Sequence, residues 1–136
     1  MNLVTAILRS EALAALVAGV ALWLANDGSA LWLLPALLLP DVSAIGYVAN
    51  TRIGAVTYNL VHNWTLALAI LGLGWWLASA PALLAGSVLL AHVGMDRALG
   101  YGLKLPTSFQ DTHLGRIGKG RAATADAPMA RPRGTD

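Results

Sequence analysis

The fold class predicted by this sequence is an all-α bundle of four membrane-spanning helices with both termini in the cytoplasm. Three observations lead there. The first is composition: 57% of the 136 residues are hydrophobic and 12% are charged, and between Ala12 and Val93 the only charges are Asp27, Asp41 and Arg52. A water-soluble domain of this size would need far more polar surface. The second is punctuation: turn-forming clusters at Asn26–Ser29, Asn50–Gly54 and Ala78–Pro81 divide the apolar sequence into four stretches. The third is charge. Four crossings put Arg9, Arg52, Arg97, Lys104, Arg116, Lys119, Arg121, Arg131 and Arg133 on one side and no basic residue on the other. The positive-inside rule makes that side the cytoplasm, as for a multi-pass protein of a bacterial inner membrane. Residues 1–118 form the expected membrane domain, with its polar site on the cytoplasmic side. Residues 119–136, rich in Gly, Ala, Pro and Arg, read as a disordered basic tail.

The first span is expected from Thr5 to Ala25. Its uninterrupted apolar part, Ala12–Ala25, is only 14 residues, short for a hydrocarbon core of about 30 Å. The helix therefore includes Arg9, which can snorkel, and Glu11, which needs a partner or water, or else the membrane thins locally. Glu11 at the start of the run and the bulky Trp23 and Leu24 near its end favour a retained span over a cleaved signal peptide. The second span runs from Ala30 to Ala49 and passes Pro35 and Pro40. A proline at 40 followed by Asp41 predicts an interrupted helix, because proline removes a backbone donor. The third span, Ala55 to Leu77, carries Tyr58, Asn59, His62 and Asn63 in its first half. Tyr58 and His62 share a face at i, i+4. The fourth, Ala82 to Tyr101, ends in His92, Asp96 and Arg97. Gly100 and Gly102 are helix-ending residues. Gly46, Gly54, Gly72, Gly74, Gly86 and Gly94 read as points of close helix packing. There is no cysteine, so thiolate chemistry is excluded.

This topology gathers the polar residues. Glu11, Asp41, His62, His92 and Asp96 come from all four spans and fall in the same half of the membrane. A charge in hydrocarbon costs at least about 2.5–3.5 kcal/mol, so convergence inside the bundle explains them better than exposure to lipid. Two imidazoles and several carboxylates suit zinc, manganese or iron. Asp41, His62, His92 and Asp96 are the expected ligands of this divalent metal. Glu11 or Asp111 is the expected general base, and Arg52, Arg97 and Lys104 are placed to orient an anionic headgroup. Asp111 and His113, just past the fourth span, are expected to fold back as a lid. Plainer roles stay open for each: a hydrogen bond between helix turns for His92 and Asp96, helix cohesion for His62, a cap after Pro40 for Asp41, an arginine pair for Glu11.

Several segments together resemble a known family. They are Arg9-Ser10-Glu11, Leu39-Pro40-Asp41-Val42-Ser43, Gly46-Tyr47, Tyr58-Asn59-Leu60-Val61-His62, Ala91-His92-Val93-Gly94-Met95-Asp96-Arg97, Gly100-Tyr101-Gly102-Leu103-Lys104 and Phe109-Gln110-Asp111-Thr112-His113-Leu114-Gly115. The family is an uncharacterised one of small four-helix bacterial membrane proteins, and the resemblance covers roughly residues 7–118. It implies a fold and a membrane location, and no activity. A fainter resemblance is to membrane-embedded metal-dependent hydrolases, which also draw His and Asp from several helices. Neither a paired His-x-x-x-His nor a His-Glu-x-x-His is present here.

The expected function is metal-dependent hydrolysis of a lipid or amphipathic substrate at the cytoplasmic leaflet. The alternative is a non-enzymatic binding, transport or scaffold protein that uses the same cluster for an ion, a proton or helix cohesion. Membrane lipids are the expected partners, nucleic acid is not, and a bundle this small is compatible with a homodimer.

Overall fold

The computed structural model describes residues 1–118, so the expected disordered tail at 119–136 lies outside the described residues. The chain is mostly helical. Helix α1 spans Leu3–Ala25, α2 spans Ala30–Leu38, and a 3-10 segment follows over Leu39–Val48. Helices α3 (Thr51–Val61), α4 (Trp64–Trp76) and α5 (Ala80–Leu99) come next, then short strands β1 (Asp111–Thr112) and β2 (Gly115–Arg116). Three segments are long and apolar enough to cross a membrane: Leu3–Ala25, Ala30–Val48 and Ala80–Leu99. Helix α4 is apolar but shorter.

Helix α5 is the axis. It packs along α1 on one side and α4 on the other, while α3 packs on the 3-10 segment. Small residues set the α1–α5 distance. A methyl group at Gly94 would stand 2.5 Å from the Leu16 amide nitrogen and 2.7 Å from the Ala12 carbonyl oxygen. At Gly86 it would meet the backbone of Leu71 in α4 at 2.8 Å. Gly72, in contrast, faces open space and is not a packing point. Many large apolar side chains, among them Leu31, Trp32, Leu34, Trp75 and Trp76, lie exposed. That is the surface expected of helices solvated by lipid.

The second expected span changes character at Pro40: the α-helix gives way to 3-10 geometry at Leu39, and Asp41 lies in the first turn of that segment. The third differs from expectation. It is two helices, not one, divided at His62–Asn63, and the first of them begins at Thr51. Asn63 is the cause. Its backbone is extended (φ −129°, ψ 152°) and its side-chain oxygen caps α4 by accepting from the Leu66 amide at 2.9 Å. Its side-chain nitrogen donates to the Asn59 and Leu60 carbonyls that the end of α3 leaves open, at 3.0 and 2.8 Å. One asparagine thus closes one helix and opens the next.

Helix α5 ends at Gly100, whose φ of 95° is left-handed and suits glycine. The chain then folds back across this end of the bundle. The Lys104 amide donates to the Asn59 side-chain oxygen at 2.7 Å, and the Asn59 side-chain nitrogen donates to the Lys104 carbonyl at 2.9 Å. Asn59 therefore grips Lys104 as a neighbouring strand would. Strands β1 and β2 pair antiparallel in a small hairpin, with Asp111 opposite Arg116, and Thr112 bridges back to Lys104.

Candidate metal centre

Four residues meet between α3, α5 and the 3-10 segment. His62 stands at the C-terminal end of α3, where the helix break frees its ring to turn inward. His92 and Asp96 lie one turn apart on the most buried face of α5, and Asp41 enters from the 3-10 segment just after Pro40. Both imidazoles are fully buried, and Asp96 is 6% exposed. The Asp41 side chain is about half exposed, at 51%.

The tautomers follow from the neighbours. His92 Nδ1 lies 2.6 Å from the Leu37 carbonyl oxygen, and His62 Nδ1 lies 2.9 Å from the Tyr58 carbonyl oxygen. A carbonyl only accepts, so each Nδ1 carries the hydrogen and donates it. In the neutral rings both Nε2 atoms are then bare, and they face each other at 3.0 Å. Two lone pairs directed at one another repel. A shared cation between them turns that repulsion into attraction.

The third corner is Asp41 Oδ1, 3.4 Å from His62 Nε2 and 3.6 Å from His92 Nε2. Ligands at about 2.0–2.1 Å from a tetrahedral zinc stand about 3.3 Å from one another. The triangle of 3.0, 3.4 and 3.6 Å is therefore the size of one face of a first-row metal site. Asp41, His62 and His92 form the group of potential ligands found among the described residues. Asp96 lies beside it, with Oδ2 at 3.8 Å from His92 Nε2, and is held there by the Tyr58 hydroxyl, which donates to Oδ2 at 2.8 Å. The Tyr58 ring stacks on His62 at 3.6 Å between centroids. The donations from Nδ1 to backbone carbonyls are the kind of outer contact that orients a metal-binding imidazole.

The sequence profile of a domain of unknown function, DUF4260, matches residues 5–117. The chain belongs to the DUF4260 family. No curated protein and no solved structure matches it. The family domain ends at the hairpin, so all of the centre and the folded-back segment fall within it.

The other residues singled out in the sequence lie elsewhere. Glu11 lines a crevice of about 410 Å³ with Arg97, His113 and Trp64, apart from the three ligands. Arg97 donates to the His62 carbonyl at 3.0 Å and so ties α5 to the end of α3. Arg52 is exposed in the first turn of α3. Asp111 belongs to the hairpin: it accepts from the Thr107 hydroxyl at 2.7 Å and faces Arg116 at 3.7 Å. The Thr107 bond leads in holding its carboxyl below the usual carboxylate range. His113 accepts the Leu103 amide at 2.8 Å, which fixes the folded-back segment.

A cleft of about 470 Å³ opens beside the centre, with Asp41, Asp96 and Tyr58 in its lining and Lys104 and Phe109 further along it. Sequence reading missed three contributors here. Tyr58 and Asn59 were legible as neighbours of His62 but not as holders of Asp96 and Lys104. The Leu37 carbonyl has no side-chain signal at all.

Proposed function

We propose that this chain is a membrane-embedded hydrolase that holds a divalent metal on Asp41, His62 and His92 and acts on a lipid or amphipathic substrate in the adjoining cleft. One observation carries the reading: two buried imidazoles have both Nδ1 atoms committed to carbonyls and both Nε2 atoms turned on one point. Zinc, manganese or iron suits two nitrogens and a carboxylate oxygen. When bound, such an ion polarises a carbonyl and lowers the pKa of water.

Asp96 takes the role of general base in place of Glu11 or Asp111. It is the carboxylate next to the ligand triangle that the triangle does not use, it lines the cleft, and Tyr58 fixes its orientation. For an acyl ester, a water oxygen adds to the acyl carbon and its proton passes to Asp96. The acyl carbon–oxygen bond then breaks, and the proton leaves on the departing alcohol. The products are a carboxylic acid and an alcohol. Half-exposed Asp41 marks the side from which substrate approaches.

The test is metal content by elemental analysis of detergent-purified protein, wild type beside His62→Ala and His92→Ala. Near-stoichiometric zinc, manganese or iron is expected in the wild type and a loss of at least tenfold in folded variants. No metal in the wild type, even after reconstitution, would leave a proton as the cation between the rings and overturn the hydrolase reading.

A further inference from the structure

The cleft beside the centre has its own cation. Lys104 is only 4% exposed, an unusual state for a lysine. Its ammonium donates to the Phe109 carbonyl at 2.9 Å, lies 3.9 Å from the Phe109 ring centroid and 5.0 Å from that of Tyr58. Among the described residues no carboxylate comes within ion-pair distance of it. Burial lowers its pKa from the ordinary lysine range, while the charges of Asp96 and Asp41 oppose that shift. The grip of Asn59 on the Lys104 backbone holds the residue over this opening.

The two other cations expected to meet an anion are not in the cleft. Arg97 faces the crevice of Glu11, and Arg52 stands on an exposed helical turn. Tyr58 is the common neighbour of Lys104 and His62: its ring stacks on the imidazole and lies near the ammonium. A ligand in the cleft can therefore meet Lys104 with one group and Asp41, the corner of the triangle that lines the cleft, with another. Met95, Leu99 and Ile117 add apolar lining for a chain.

The geometry points to an anionic acyl ester as the ligand of this cleft, its phosphate or carboxylate on Lys104 and its ester carbonyl towards Asp41, His62 and His92. This rests on the hydrolase reading for its chemistry, and on Lys104 alone for its charge. Lys104 follows α5 in sequence and folds back to Asn59 in α3, one turn before His62, so the Tyr58 ring stands between its ammonium and the His62 imidazole. In a glycerophospholipid the phosphate and the ester carbonyls are likewise set apart, by the glycerol unit. A phosphodiester substrate would need its phosphorus at the triangle and leave the Lys104 ammonium with the Phe109 carbonyl alone as its hydrogen-bond partner.

The experiment is calorimetric titration of the full-length protein in detergent with 1-decanoylglycerol 3-phosphate, decanoyloxyacetate or neutral 1-decanoylglycerol. Wild type is expected to bind at least one of the two anions tenfold or more tighter than the neutral ester. Comparing the two distinguishes phosphate from carboxylate. Lys104→Met should abolish the preference and Lys104→Arg should retain most of it. Equal affinity for all three ligands, or a preference that survives Lys104→Met in folded protein, overturns the proposal. Chelator-treated protein should keep the preference, because the ammonium and not the metal selects the charge. A preference without hydrolysis of the phosphate-bearing ester by metal-loaded protein would overturn the hydrolase reading and leave the anion site standing.

Discussion

At the scale of single residues, the decisive atoms are ones that chemistry forces into one protonation pattern. The carbonyls of Leu37 and Tyr58 act as fixed acceptors, and they determine which nitrogen of each imidazole is bare. Tyr58 works twice, stacking on His62 and donating to Asp96. Tyr58→Phe keeps the stacking and removes the donation. Metal content should stay near the wild-type level, while turnover falls by about 10–100-fold, the usual effect of losing an outer partner of a metal site; kinetics on the metal-loaded variant checks this. The candidate ligand types were legible in the sequence because His and Asp stand out against an apolar background, and His92–Asp96 spacing put both on one face, although Asp96, expected as a fourth ligand, lies beside the triangle. The proposed base was not. Glu11 and Asp111 look equivalent to Asp96 in a sequence, and only side-chain placement separates a carboxylate at the triangle from one in another crevice or a hairpin.

At the scale of elements, turns and caps decide what the chain can bring together. The apolar run from Ala55 to Leu77 reads as one helix by hydropathy, yet Asn63 divides it with three hydrogen bonds. That misreading has a physical cause: hydropathy averages over a window, and a single capping side chain is invisible to it. The break at Pro40 was legible because proline lacks a donor whatever its surroundings. Asn63→Ala should destabilise the protein by about 1 kcal/mol through loss of the cap and weaken metal binding with it, measured by thermal unfolding and metal competition in detergent. The hairpin offers a pH test. The Asp111 carboxyl is held below its ordinary range, so its contribution to the folded state is present above that range and lost as pH falls through the lowered value. Protection from hydrogen exchange at the Leu105 amide, which donates to the Asp111 carbonyl at 2.8 Å, relative to its intrinsic rate at each pH, should fall below about pH 4. Asp111→Asn should show the lower protection already at neutral pH.

At the scale of the whole molecule, composition gave the membrane class, and helix α5 organises the rest. Its two packed flanks carry α1 and α4, and its buried face carries two of the four residues at the centre. A ligand that binds only the folded arrangement stabilises it by mass action. Zinc at a thousand times its dissociation constant should therefore add about 4 kcal/mol, seen as a rise in the unfolding temperature of wild type. The His62→Ala/His92→Ala double variant should show no such rise.

The joint at His62–Asn63 has a mechanical side as well. Helix α4 has 13 residues and is about 20 Å long, shorter than a hydrocarbon core of about 30 Å. A span too short for its bilayer is accommodated by local thinning of the bilayer or by snorkelling of its flanking residues. The joint before α4 carries His62, a candidate metal ligand. In a membrane, longer acyl chains would load this joint along the membrane normal. If the proposed centre binds zinc, zinc affinity measured in nanodiscs of increasing acyl length should thus pass through a maximum at the bilayer thickness that fits the joint best.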